Sequence, residues 1–182
     1  MKTSALRDLA RHLDHIRASP TDRGRIELIV RRPAVDAREV VAEAVLDPVV
    51  GLLGDDWLAR GSRSMPDGAA NPEAQLTLMS TRVLAAIEPD RSRWPLAGDQ
   101  LYVDLDLSVA NLPPGTRLLA GEAILEVTEK AHTGCPKFSA RFGADALRWV
   151  NEPAGRALRL RGAYARVVRG GTIRTGDAVH KG

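Results

Sequence analysis

The spacing of apolar residues changes period along this chain, and the changes mark out its elements. Leu6, Leu9, Leu13 and Ile16 recur at helical spacing, which predicts a helix over residues 4–18 with Ser4 as N-cap and Ser19-Pro20 as the stop. After the polar turn at 21–24, the run 26–31 reads as a strand closed by Pro33. Residues 35–46 fit a second helix packed on one face of a sheet. The glycines in 49–57 interrupt any regular pattern and read as a structural turn, and 61–72, rich in Gly, Ser, Pro, Asp and Asn, reads as a long surface loop. Residues 76–79 read as a short strand, 82–87 as a helical turn and 88–95 as another loop.

From Leu101 the period drops to two. Leu101, Val103, Leu105 and Leu107 alternate with Tyr102, Asp104, Asp106 and Ser108 over eight residues, as a half-buried strand requires. A turn at 111–115 leads to strands at 117–119 and 123–127, separated by Gly121. Residues 138–150 read as a helix with Phe142, Ala146, Leu147 and Val150 on one face. The end reads as a strand at 158–168, a hairpin at Gly170-Gly171, and a last β segment at 172–179 around Gly176-Asp177. Short strands with glycine-marked turns and a few helices predict a mainly β fold with helical insertions (α+β), closed as an antiparallel β-barrel. The length of 182 residues suits one domain over 1–182, the helix at 4–18 being an appendage.

Composition narrows the function classes. Hydrophobic residues make up 44% and charged residues 27%, so a folded core is expected and disorder is not. There is no apolar run of the roughly 20 residues that a membrane span needs. The first 17 residues carry charge throughout and lack a signal peptide's apolar centre, so a cytoplasmic protein without membrane association is expected. The pI is 9.4 although the net charge is only +3, and with four lysines the basic charge is mostly arginine, whose planar fork suits oxyanions. The arginines are scattered and aromatics are only 4%, so neither the basic stripe nor the stacking platform of a nucleic-acid binder is present.

The single cysteine, Cys135, excludes an internal disulfide. It lies in 131–138 (AHTGCPKF), between a strand and a helix. Gly134 permits close backbone approach, Pro136 pushes Cys135 toward an extended conformation, and a following helix start with Lys137 favours a thiolate. On these residues alone, a soft metal ligand or sulfur nucleophile and a small buried hydrophobe both remain open. His132 could orient the thiolate or donate to a substrate, or be a hydrogen-bonded structural histidine. Asp104-Leu-Asp-Leu-Ser108 lacks the glycine and the bidentate glutamate of a calcium loop. His12 and His15 share a helix face but have no third ligand. The chain has no Gly-x-Ser-x-Gly, no P-loop and no Gly-x-Gly-x-x-Gly, which places any flavin or nicotinamide on a partner.

Five segments together resemble the MOSC family, named after the C-terminal domain of eukaryotic molybdenum-cofactor sulfurase. They are 101–108 (LYVDLDLS), 111–118 (NLPPGTRL), 121–128 (GEAILEVT), 132–138 (HTGCPKF) and 161–177 (RGAYARVVRGGTIRTGD). The match is best over 96–179 and looser over 26–90. The resemblance implies a mostly β barrel that binds the molybdenum cofactor (molybdopterin), with Cys135 as the family's central cysteine and metal ligand. Relatives such as the mitochondrial amidoxime-reducing component reduce N-hydroxylated compounds, which implies oxygen removal at a Cys-ligated molybdenum and an electron-donating reductase as partner. Other MOSC domains are thought to carry sulfur as a persulfide, which would make Cys135 a sulfur carrier served by a sulfur-donating desulfurase. A homodimer is a further expectation.

The same resemblance nominates the remaining site residues. Gly98-Asp99-Gln100 stands where small bacterial relatives carry Gly-Glu-Asn, so Asp99 and Gln100 are expected at the cofactor. Residues 71–75 (NPEAQ) occupy the region of a His-Gly-Gly-x-Asp segment found in several relatives, which nominates Asn71 and Gln75. Arg82 and Lys137 are candidates for the pterin phosphate by charge and neighbourhood. Cys135 and His132 are the expected catalytic pair.

Overall fold

In this computed structural model, which describes residues 8–182, backbone pairing closes a barrel. Strand β1 (Gly24–Arg31) pairs with β6 (Leu101–Asp104) on one side and with β11 (Ala178–Lys181) on the other. The circuit continues through β7 (Arg117–Ala120), β8 (Ala123–Val127), β9 (Ala163–Arg169) and β5 (Leu76–Ser80), which returns to β6. The barrel expected of the sequence is therefore formed, with seven strands. Every neighbouring pair in it is antiparallel except β5–β6, which is parallel. A parallel pair needs a crossover, supplied by helix α3 (Thr81–Ile87) and a 3₁₀ segment at Arg91–Ala97.

Alternation along the strands fills the barrel. Ile26, Leu78, Val103, Leu118, Leu125 and Ala165 are buried in one apolar cluster, each large side chain contributing roughly 1.5–3 kcal/mol by leaving water. A second cluster lies between the outside of β1, β5 and β6 and the helices, around Met79, Tyr102, Phe138 and Trp149. Tyr102 is therefore buried on the face opposite Leu101 and Val103, and its hydroxyl donates to the Trp94 carbonyl at 3.1 Å. The period-two strand also ends early. After Asp104 the chain leaves the ladder, and Asp106 accepts from the Ser108 N–H in a turn.

Residues 35–46 are not a helix. They form β2 (Glu39–Val41), which extends β1, and β3 (Glu43–Asp47), which joins β4 (Gly51–Leu52) and β10 (Gly171–Arg174) in a small second sheet. Four valines, at 35, 40, 41 and 45, favour the extended chain, and Asp36 at φ 60° breaks a helical start. Cross-strand ion pairs, Arg31–Glu39 and Arg174–Glu43, hold these strands to their neighbours. Gly170-Gly171 likewise makes no hairpin, because β9 belongs to the barrel and β10 to the small sheet. The two glycines let the chain pass between sheets, where a Cβ on Gly170 would lie 2.7 Å from the Leu46 carbonyl oxygen.

The helix expected over 138–150 is two, α4 (Pro136–Phe142) and α5 (Ala144–Asn151), because Gly143 at φ 93° ends one and starts the next. The strand expected at 158 begins at Ala163, after α6 (Pro153–Ala157) and a turn in which Gly162 at φ 103° packs against the Leu78 carbonyl. Helix α1 (Leu13–Arg17) and short α2 (Trp57–Arg60) complete the set, with a 3₁₀ turn at Pro72–Ala74. The N-cap expected at Ser4 lies outside the described residues. No helix among those described is long and apolar enough to cross a membrane.

Candidate functional site

The segment that carries Cys135 is an irregular crossing from β8 to α4, pinned at both ends. Thr128 Oγ1 donates to the Glu73 carbonyl at 2.6 Å as the chain leaves the barrel. At the other end Asn151, the last residue of α5, holds the Gly134 peptide from both sides. Its Oδ1 accepts from the Gly134 N–H at 2.8 Å and its Nδ2 donates to the Gly134 carbonyl at 3.1 Å. A Cβ on Gly134 would lie 2.6 Å from Leu147 Cδ1 and 3.0 Å from Val150 Cγ2, so the glycine lets the segment pack closely on α5 without moving those side chains. Pro136 at the first helical position leaves Cys135 extended, at φ −124° and ψ 172°, as the N-cap. Cys135 is exposed, so its reading as a buried hydrophobe does not hold.

Beside this segment lies a polar cavity of about 300 Å³. Arg32, Arg60, Arg63 and Lys130 line it, with no carboxylate among the lining residues. Arg32 is matched by the buried Asp55 through Nε and Nη2, both at 2.8 Å, and Arg60 by Asp56 at 2.9 Å. Arg63 and Lys130 have no ion-pair partner among the described residues, so the cavity carries uncompensated positive charge. Asn71 also lines it, capping the 3₁₀ turn through the Glu73 N–H and donating to Ser64 Oγ at 3.1 Å. Part of the surface loop expected at 61–72 thus forms one wall.

His132 and Tyr164 form another wall, their rings stacked with centroids 4.4 Å apart. Beneath them Asp99 is fully buried, its two oxygens receiving Arg161 Nη1 at 3.0 and 2.8 Å, while Arg161 Nη2 donates to the Ala97 carbonyl. Burial pushes the Asp99 carboxyl up, with the Arg161 guanidinium pulling it back. His132 Nδ1 is buried without a hydrogen-bond partner and lies 3.8 Å from Asp99, too far for a hydrogen bond. Burial, then Arg161 and Arg32, hold the imidazole well below its usual pKa, so His132 is neutral at pH 7. Burial and the Asp99 charge raise the Tyr164 phenol, so it keeps its proton.

The residues nominated by sequence therefore separate. His132 and Asn71 line the cavity, Asp99 lies under it, and Cys135, three residues on from His132, is exposed and is not itself a lining residue. Lys137 is exposed and turned to Asp36 at 3.3 Å. Gln100 is buried and accepts from the Thr77 N–H at 2.8 Å and Oγ1 at 2.7 Å, tying β5 to the start of β6. Gln75 accepts from the Val167 N–H at 2.7 Å and donates to the Pro48 carbonyl at 3.0 Å. Neither glutamine lines the cavity, and neither does Arg82, which is committed to Asp104 at 2.7 Å and to the His15 carbonyl. No cluster of three or more His, Cys, Asp or Glu among the described residues is placed to hold a metal, His12 and His15 included.

Sequence reading missed Arg32, Arg60, Arg63, Lys130, Tyr164, Arg161 and Asn151. The one local signal was the pair of arginines flanking Gly61-Ser62, a basic loop able to wrap an anion. A larger hollow of about 480 Å³, floored by Leu9, Ile87 and Phe142 and edged by Asp8 and Asp145, holds none of the nominated residues.

Comparison with known proteins gives the family and the fold. The MOSC domain family model matches residues 66–180, well over half of the chain and including Cys135. Among solved structures, the YuaD protein of Bacillus subtilis is similar at 16% identity and a TM-score of 0.64, covering 86% of this chain and 93% of its own. YiiM of Escherichia coli is similar at 19% identity and 0.57, over 87% of this chain and 69% of its own. YiiM of Geobacillus stearothermophilus gives 15% and 0.58, over 87% and 75%. At these identities the likeness is one of fold, and no curated protein matches. Barrel, cysteine-bearing crossing and family match converge: the chain belongs to the MOSC domain family, which is associated with proteins that bind the molybdenum cofactor.

Proposed function

We propose that this protein binds the molybdenum cofactor in the basic cavity, with the Cys135 thiolate as its protein ligand to the metal. The observation that carries the reading is a 300 Å³ polar cavity whose lining charge is entirely positive, walled in part by Lys130 and His132 of the same crossing that presents the exposed, unpaired Cys135. The fit can be tested on the residues present. The cofactor's phosphate needs several cationic donors, and Arg63 and Lys130 are uncompensated while Arg60 lies at the same wall. A metal that brings its own sulfur ligands needs few from the protein, consistent with a lone cysteine and no ligand cluster among the described residues. The volume lies at the small end of the range for ligand pockets.

In this reading Arg60, Arg63 and Lys130 hold the phosphate, and the Asn151 clamp fixes where Cys135 can reach. Tyr164 keeps its phenolic proton at neutral pH and can donate it in a hydrogen bond to a bound substrate. Neutral His132 backs that ring without adding a charge. When bound, the cofactor supplies the redox chemistry for removing oxygen from an N–OH group, releasing water at the cost of two protons and two electrons from a reductase partner.

A second reading, a sulfur carrier with a persulfide on Cys135, is favoured by the exposure of the thiol, which a desulfurase could reach. The two separate on metal content. Protein from a host that makes the cofactor, assayed by elemental mass spectrometry, should hold close to one molybdenum per chain, and Cys135→Ala little. No metal in either, with sulfane sulfur on the wild type, would replace the first reading by the second.

A further inference from the structure

Next to Gly98, which lines the cavity, two more guanidinium groups converge. A point one bond out from Gly98 Cα lies 3.4 Å from Arg38 Nη2 and 3.8 Å from Arg141 Nη1. Arg141 is already committed, donating to the Leu96 carbonyl at 2.7 Å and to Asp36 at 2.9 Å. Asp36 is shared with Lys137 at 3.3 Å. Arg38 has no carboxylate within ion-pair distance among the described residues. Its one hydrogen bond runs from Nη1 to the adjacent Ala37 carbonyl, and its Nε is buried without a partner. Arg38, Arg141 and Lys137 against the single carboxylate of Asp36 leave two positive charges unmatched (three minus one). Burial, then Arg141 and Arg32, depress the Arg38 pKa, and the Asp36 charge only partly offsets them. A half-buried arginine in that state is relieved by a planar oxyanion that can take its open fork.

We propose that Arg38 and Arg141, with Lys137 at the rim, form an oxyanion subsite that receives a carboxylate or phosphate group of the substrate handled at Cys135. The role in substrate selection rests on the reading of Cys135 as the reacting centre; the subsite itself does not. The placement suits a substrate with its anionic group at one end. Helix α4 starts at the Cys135 N-cap and rises about 9 Å to Arg141, with Lys137 and Arg141 one turn apart on the same face. Arg63 and Lys130 line the cavity, whereas Arg38 and Arg141 do not and meet it only at Gly98, so the cofactor's phosphate and the substrate's anion need not compete.

The test is a titration of the purified protein with inorganic phosphate and, separately, with acetate, following the guanidinium Nε–Hε resonances by nuclear magnetic resonance. Saturable shifts at Arg38 and Arg141 are expected with at least one of the two anions, and which one answers tells carboxylate from phosphate. Loss of a charge-assisted hydrogen bond in Arg38→Gln should weaken binding there about tenfold or more. Arg38→Lys, which keeps the charge and loses the fork, should fall between, and Arg63→Gln should leave these shifts unchanged. Amide spectra establish that each variant is folded; if Arg38→Gln is not, Arg38→Lys and Arg141→Gln carry the comparison. The absence of saturable shifts at Arg38 and Arg141 overturns the subsite, as does wild-type affinity in the folded Arg38 variants or loss of the shifts in Arg63→Gln. Molybdenum content of the same preparations reads the cofactor proposal separately: metal without shifts sinks only the subsite, and shifts without metal sink only the cofactor.

Discussion

The position of Cys135 is attributed above to one side chain, Asn151, and its removal has a calculable effect. Asn151→Ala deletes two neutral hydrogen bonds to the Gly134 peptide, 2.8 and 3.1 Å long, each with a net worth of about 0.5–1.5 kcal/mol. Gly134 is half-buried, so water can replace part of what is lost, and alanine recovers some helix propensity at the end of α5. The expected cost is therefore about 1–2 kcal/mol, in the lower part of the summed range. For a chain of this size that lowers Tm by roughly 2–8 °C. The Gly134 and Cys135 amides, which open locally once the clamp is gone, should exchange at least about 5–30-fold faster in the variant, and core amides of β5 and β6 that exchange only through global unfolding by no more than that factor. Scanning calorimetry and residue-resolved hydrogen exchange measure both. Unchanged exchange at Gly134 in the variant would refute the clamp, whatever the change in Tm.

Two further expectations concern the buried groups under the cavity. Arg161→Met leaves Asp99 buried without its counter-ion and should cost about 3–5 kcal/mol in urea unfolding at pH 7; adding Asp99→Leu should recover most of it, and a double variant no better than the single contradicts the pairing. The folded pKa of His132 is depressed below its unfolded value near 6.5, so the unfolded chain takes up a proton that the folded chain refuses as pH falls. That contribution to stability is present above pH 6.5 and is lost below it, by up to about 1.4 kcal/mol per pH unit. His132→Phe should lose less stability than wild type between pH 7.5 and 5.5, and equal losses contradict the assignment. The raised Asp99 carboxyl works in the opposite sense, its contribution being lost as pH rises, but it is common to both proteins and cancels in the comparison.

What was legible in the sequence was whatever a local pattern encodes. The strands at Leu76, Leu101 and Ala123, the helix after Thr81 and the extended Cys135-Pro136 junction all follow from periodicity or proline sterics. Residues 35–46 misled because their valines also fit a helical spacing, and only pairing with β1 and β10 decides for strands. Tyr102 looked like a solvent-side residue because alternation does not reveal that helices cover the outer face of β6. The site depended most on distant partners. Asp99 meets Arg161 from 62 positions away, Gln75 meets Val167 from 92, and nothing near Asp99 in sequence marks it as buried. The cavity's cations come from the barrel, a helix end, a loop and the β8–α4 crossing, so only the fold brings them together.

In the proposed function the basic cavity and Cys135 form a single site for one cofactor. X-ray absorption at the molybdenum edge, on the purified protein loaded in a host that makes the cofactor, tests it most directly by counting sulfur neighbours. One more sulfur at the metal is expected in wild type than in any metal retained by Cys135→Ser, with much reduced loading when Arg63 and Lys130 are both replaced by glutamine. The same sulfur count in wild type and Cys135→Ser would contradict it.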